Sequence, residues 1–191
     1  MRAFSRMGFR KTSIEEVAQE AGVGKGTIYL AVNSKDELFL SAVEREVKGF
    51  LSGGRPVLAM FDDAVELVAG LVQSELREAL KRPLVRQLLV GQTLATVPQA
   101  EAECERLLTR ARDNLVGALD RLQEGGALRE DLERDTAARL LQDLEIAALV
   151  RSERAKDPED AIMRADWRQT VGLMVRGMRR PLTLGATSRR T

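Results

Sequence analysis

Apolar residues recur at intervals of three and four along almost the whole chain, and that spacing restricts the fold more than any other feature of the sequence. Ala64, Leu67, Val68, Leu71, Val72 and Leu76 share one helical face. Cys104, Leu107, Leu108, Ala111, Leu115, Leu119 and Leu122 share another, which Gly125-Gly126 ends because glycine reaches left-handed backbone angles at little cost. A further helix is predicted through Ala137, Leu140, Leu141, Leu144 and Ala148. Asp157-Pro158 opens a last one, with Trp167, Thr170, Val171, Met174 and Met178 on one stripe. No sustained apolar/polar alternation competes with this pattern, and aromatic residues are only 4% of the chain, so the fold class read from the sequence is all-α. Periodicity breaks at Leu51-Ser52-Gly53-Gly54-Arg55-Pro56, which predicts a small N-terminal domain (residues 1–50) and a larger helical one (residues 51–191).

Composition narrows the chemistry. The chain has no histidine, and so lacks both the commonest general base and the commonest metal ligand. Its one cysteine, Cys104, rules out an internal disulfide and, flanked by Glu103 and Glu105, reads as a small buried residue rather than a reactive thiolate. No apolar run approaches the ~18 residues of a membrane span, and Met1–Lys11 lacks the apolar centre of a signal peptide. A soluble cytoplasmic protein is expected, with no metal, no cofactor, no membrane association and no catalytic residues. The net charge of +1 leaves any polyanionic partner to be read from local charge.

The stretch from Gly22 to Phe39, GVGKGTIYLAVNSKDELF, has the glycine and lysine density of a phosphate-cradling loop. A nucleotide P-loop needs G-x-x-x-x-G-K-[ST] after a strand. Here Gly24-Lys25 is followed by Gly26, position 19 is Gln19, and the preceding SIEEVAQEA is an amphipathic helix. Residue identity, spacing and context all fail. A helix-turn-helix fits instead. Ser13 and Glu16 form a capping box, Gly22 ends the first helix, and Val23 plugs the corner. A short helix follows from about Lys25 to Val32, with Ile28 and Val32 inward. Ser34 and Glu37 form a second capping box that starts the next helix. A short helix between two firmly started ones suits a major groove. From Met1 to Lys35 six bases stand against three acids, a local balance of +3.

Residues 4–40 resemble the DNA-binding domain of the tetracycline-repressor (TetR) family through F-x-x-x-G-F, T-S-x-x-x-V-A, A-G-V-x-K-G-T-x-Y and S-K-x-E-L, in that order. The resemblance implies a three-helix DNA-binding domain followed by a larger helical domain that binds a small molecule and dimerises through its last two long helices. It implies DNA contacts at Lys25, Gly26, Thr27 and Tyr29, with the bland reading a solvated helix surface. Lys35, at a helix N-terminus, would share a phosphate with the free amides there. Ser13 reads as a cap, with or without a phosphate contact. Three departures from the pattern stand out: few turns precede Gly8, Ala31 replaces an aromatic or histidine that often reaches DNA, and Gly24 stands where Ser or Thr often caps the reading helix.

Met60, Phe61, Leu88, Gln92, Met163 and Trp167 are candidates to line an apolar pocket for a small hydrophobic effector; each taken singly also reads as ordinary core. Between Ala137 and Val150 apolar residues cover more than one helix face, which calls for a second partner and, with the final helix, a twofold four-helix bundle. The expected function is a homodimeric, ligand-responsive TetR-like repressor on a palindromic operator, its reading helices about 34 Å apart or somewhat more. Two alternatives are weighed beside it: a helical interaction module that has lost DNA binding, and a small non-histidine enzyme.

Overall fold

Side-chain caps at Ser13, Ser34 and Asp63 start three helices of this chain and glycines end several of its helices, and the computed structural model describes the result for residues 2–53, 63–91, 97–164 and 167–179. Ten helices appear among them: α1 (Arg2–Lys11), α2 (Ile14–Ala21), α3 (Lys25–Tyr29), α4 (Lys35–Gly53), α5 (Ala64–Leu80), α6 (Pro83–Leu89), α7 (Glu101–Glu124), α8 (Arg134–Ser152), α9 (Pro158–Arg164) and α10 (Trp167–Met178). A 3₁₀ turn, Pro98–Ala100, leads into α7. No strand occurs among the described residues, so the all-α reading holds.

The N-terminal helices are fixed by local devices. Ser13 Oγ accepts the Glu16 amide at 3.2 Å, and Glu16 Oε2 accepts the Ser13 amide at 2.7 Å, closing the predicted capping box. Gly22 ends α2 in the left-handed region at φ 68°. Gly8 kinks α1 at φ 75°, which turns Phe9 back toward Phe4. Both rings then meet Phe39 edge-on, at 5.1 and 5.2 Å between centroids. This trio accounts for the F-x-x-x-G-F pattern, because a straight helix would not bring residues five apart onto one ring.

Two expectations shift. The reading helix ends at Tyr29, not Val32; Leu30 and Ala31 turn outward and Val32 drops into the core, 7% exposed. In the second capping box Ser34 Oγ accepts the Glu37 amide, but Glu37 reaches the amide of Asn33 at 2.7 Å rather than that of Ser34. Helix α4 runs to Gly53, within the stretch 51–56 where the periodicity breaks, and its Val47 and Phe50 are buried in one continuous core with α5 to α8.

In the larger part, Ala64, Leu67, Val68, Leu71, Val72 and Leu76 are all buried, as are Cys104, Leu107, Ala111, Leu115, Leu119 and Leu122. Gly126, at φ 74°, makes the left-handed stop after α7. On α10 the inward stripe is Val171, Val175 and Met178, with Thr170 left outside. Helix α6 is a short cross-piece. Glu46 of α4 caps it, accepting the amides of Leu84 at 2.9 Å and Val85 at 3.4 Å. Gln87 donates to the Ser5 carbonyl of α1 at 3.1 Å, and Arg82, just before α6, donates to the Gly49 carbonyl of α4 at 2.9 Å. Arg86 pairs with Glu153 at the end of α8, 2.6 Å apart. No helix among the described residues is long and apolar enough to cross a membrane.

Candidate nucleic-acid interface and interior cavity

The segment after α2 stands clear of the core. Every residue from Glu20 through Thr27 is exposed, and no residue of α3 is buried. Ile14, Val17 and Ala18 anchor α2, while Val32 and Phe39 anchor the far side. The helix is therefore held from both ends and open along its length. Gly24 precedes it in an extended conformation and supplies no side-chain cap, so α3 starts on backbone alone.

Four of the six predicted contact residues fall on this projection; Ser13 and Lys35 do not. Lys25, Gly26 and Thr27 form the first turn of α3 and are exposed; Tyr29 is 45% exposed on the last turn. Nothing lies within 4 Å of the position a Cβ would take at Gly26, so its backbone is open to an approaching surface. Lys25 is not a free cation. It pairs with Glu15 of α2, a bond that raises the lysine pKa and lowers that of the glutamate, and its ammonium lies 5.8 Å from the Tyr29 ring centroid. Ser13 is engaged in its cap.

Lys35 is held elsewhere. Its position at the start of α4 predicts an ammonium waiting for a phosphate. Instead the side chain folds back to the C-terminal end of α1, donating to the Phe9 carbonyl at 3.0 Å and the Thr12 carbonyl at 3.1 Å. It also sits 4.3 Å above the Phe9 ring. The negative end of one helix thus holds the charge that the positive end of the next disfavours.

Of the six predicted pocket residues, only Leu88 has its side chain among the described residues. Met60, Phe61 and Gln92 lie outside the described residues, as do the side chains of Met163 and Trp167. Leu88 is fully buried, its carbonyl facing the Cys104 thiol at 3.9 Å. Cys104 itself is buried, and burial first, then Glu105 and Glu101, push its pKa up, as befits an inert thiol.

A cavity of about 30 Å³ opens elsewhere, among α4, α5, α6, α7 and α8, lined by apolar side chains and by Glu75, Gln142 and Glu145. Periodicity alone did not single out these three. Glu75 is 6% exposed and Glu145 is 7% exposed. Neither oxygen of Glu75, nor Oε1 of Glu145, makes a hydrogen bond of good geometry. Asn114 and Glu145 approach Glu75 closely enough to temper its shift, yet burial still pushes it up to about 7. Burial first, then the neighbouring Glu75, drives Glu145 well above the usual carboxylate range. Helix α8 buries Gln142 and Glu145 beside Leu141, Ala148 and Leu149, while Leu140 and Val150 are 53% and 39% exposed.

Residues 1–42 match the family model described as bacterial regulatory proteins, tetR family. Over 44 residues the chain is 48% identical to the uncharacterized HTH-type transcriptional regulator YerO of Bacillus subtilis (strain 168), a match spanning 23% of this chain and 15% of that relative's length. Among solved structures, the TetR family transcriptional regulator PfmR from Thermus thermophilus is similar with a TM-score of 0.67 and 22% identity, covering 94% of this chain and 96% of the other. The transcriptional regulator FadR from Bacillus subtilis, solved in complex with stearoyl-CoA, is similar with a TM-score of 0.72 and 16% identity, covering 93% of this chain and 94% of the other. At those identities the structural likeness is one of fold.

Proposed function

We propose that this chain, whose residues 1–42 match the model of the tetR family of bacterial regulatory proteins, belongs to that family and is a transcriptional regulator that works as a ligand-responsive repressor, reading a palindromic operator as a homodimer. The observation that carries the reading is the exposure of α3 between two anchored helices. Lys25, Gly26, Thr27 and Tyr29 are the contacts proposed on it. Lys35 would pass from the α1 carbonyls to a phosphate on binding, and Ser13 would add a phosphate contact beside its cap. The second copy is proposed to cover the outward apolar residues Leu140 and Val150 of α8 and Leu173 of α10, the last 70% exposed.

The effector is proposed to enter the helical body, and α6 is the natural relay. It borders the cavity through Leu89 and is tied by hydrogen bonds to α1 and α4, which carry the DNA-binding helices. An effector releases DNA only by preferring a state in which those ties are rearranged. The stearoyl-CoA bound to the similar FadR supports a ligand site in such a body.

A helical module without DNA binding has one observation in its favour: Lys25 and Lys35 are both engaged within the chain. Selection from a random duplex pool decides. The regulator reading requires a recovered palindrome whose affinity falls steeply with salt; retention of no duplex even in dilute buffer leaves the module reading standing.

A further inference from the structure

We propose that Glu75, Glu145 and the cavity before them form the binding site for a hydrophobic cation, an organic ammonium carried on an alkyl or aryl body. The inference rests on the reading of the helical body as effector-binding and names the ligand's chemical class. The two carboxylates come from different helices, α5 and α8, and both are more than nine-tenths buried. Three of their four oxygens make no hydrogen bond of good geometry, with Asn114 and the paired carboxyl itself close to Glu75. Among the described residues no basic side chain lines the cavity; Leu76, Leu107, Ile146 and Leu149 make apolar wall. The third polar group, Gln142, commits one of its two amide N–H donors to the Leu108 carbonyl at 2.7 Å, which leaves its oxygen and one N–H beside the two carboxylates. The site therefore presents acceptors in excess of donors in an apolar setting, and its complement must bring donors and positive charge.

The same physics sets the sign of selectivity. Two adjacent carboxylates in an apolar interior cannot both ionise without a counter-charge, so the empty site holds a proton between them. An ammonium allows both to ionise and offsets their repulsion. A carboxylate or phosphate head would add a third negative group to the pair. The cavity's 30 Å³ accommodates roughly two waters, which suits an ammonium head but not its body. The cation must therefore favour a state in which the surrounding helices stand further apart.

A series with one apolar body and three heads tests the proposal: octylammonium, octanol and octanoate, titrated calorimetrically into the full chain without DNA. Octylammonium is expected to bind at least tenfold more tightly than octanol, and octanoate more weakly than either. The double variant Glu75→Gln/Glu145→Gln keeps the shape of both side chains, and its fold is checked by circular dichroism. It should bind octanol as before and octylammonium no better than octanol; Glu75→Gln alone should fall between. Equal or stronger binding of octanol or octanoate overturns the proposal, as does absence of octylammonium binding or a cation preference that survives in the double variant. Duplex release is then measured separately. A cation that binds but leaves the selected duplex bound refutes regulation through this cavity and leaves the ligand class intact.

Discussion

The projecting end and the helical interior solve opposite problems. Around α2 and α3 the polar groups are satisfied locally, by Ser13 and Glu16, by Glu15 and Lys25, by Lys35 on the α1 carbonyls, while an entire helix face is left without a partner. In the interior the surfaces are matched, but two carboxylates face each other with no counter-charge among the described residues that line the cavity. Each region is complete in one respect and unfinished in the other. An unfinished surface calls for a large, shape-complementary partner. An unfinished pair of charges calls for a small one.

The comparison breaks most heavily if the two regions are not mechanically joined. Phe39 stacks edge-on with Phe4 and Phe9, and lies in the same continuous core as α5 to α8. Phe39→Ala should cost about 3–5 kcal/mol and lower Tm by roughly 10 °C, in one cooperative transition seen alike by circular dichroism and fluorescence. An early, separate melting of the N-terminal helices alone would show instead that the ends are independent. Next in size is the interior pair. In the unfolded chain Glu75 titrates near 4.5, in the native chain at about 7, so the native state holds its proton more tightly. Its stabilising contribution is therefore complete below pH 4.5 and is lost as pH rises through about 7, on the order of 3 kcal/mol over that window. Glu145 acts in the same direction, as does Glu46, which burial also raises; among the described residues no charged side chain besides the pair lines the cavity. Glu75→Gln/Glu145→Gln should flatten most of this slope in denaturant titrations at pH 5 and pH 8, and leave the double variant the more stable protein at pH 8.

Two glycines sharpen the contrast between what holds the reading helix and what uses it. Gly22 sits at φ 68°, so Gly22→Ala strains the turn even though no atom crowds the new methyl; about 1 kcal/mol is expected in chemical denaturation. Gly26 has ordinary helical geometry and open space around it. Gly26→Ala should raise stability by roughly 0.5–1 kcal/mol and still weaken duplex binding, because the added methyl occupies the approach. A stabler protein that binds as well as before would remove Gly26 from the interface.

How much of each region could be read in advance follows from the range of its interactions. Ser13, Glu16, Gly22 and Glu37 act within four residues of themselves, so the bounds of α2 and the start of α4 are written in adjacent letters. The exact end of α3 depends on Val32 finding a place in the core, and the fate of Lys35 on the carbonyl end of α1, 23 and 26 residues away. The Glu75–Glu145 pair is further out of reach. Its partners are brought together only by the packing of α5 on α8, and helical periodicity puts a glutamate on the inward face without saying what it faces. A heavier signal was present in α8: leucine and valine outward at Leu140 and Val150, glutamine and glutamate inward at Gln142 and Glu145. The surplus of apolar residues there was legible; that two polar residues took the buried positions was not.

The smallest expected effect tests the local polar satisfaction at the projecting end most directly. Lys25 is held by Glu15, and both are exposed. If the pair serves only the free protein, a duplex must draw the lysine away and must bring its phosphates near the Glu15 carboxylate. Glu15→Gln removes both obstacles without changing shape. An exposed ion pair contributes little to stability, so the melting curve should hardly move. Duplex affinity should rise about two- to fivefold in low salt, as one surface charge is worth a few tenths of a kcal/mol up to about 1. The gain should shrink as salt rises, since it is electrostatic. A loss of affinity would mean that Glu15 positions Lys25 for its phosphate rather than competing for it. The pair would then belong to the interface, and the polar groups around α3 would be arranged for the bound state as well as the free one.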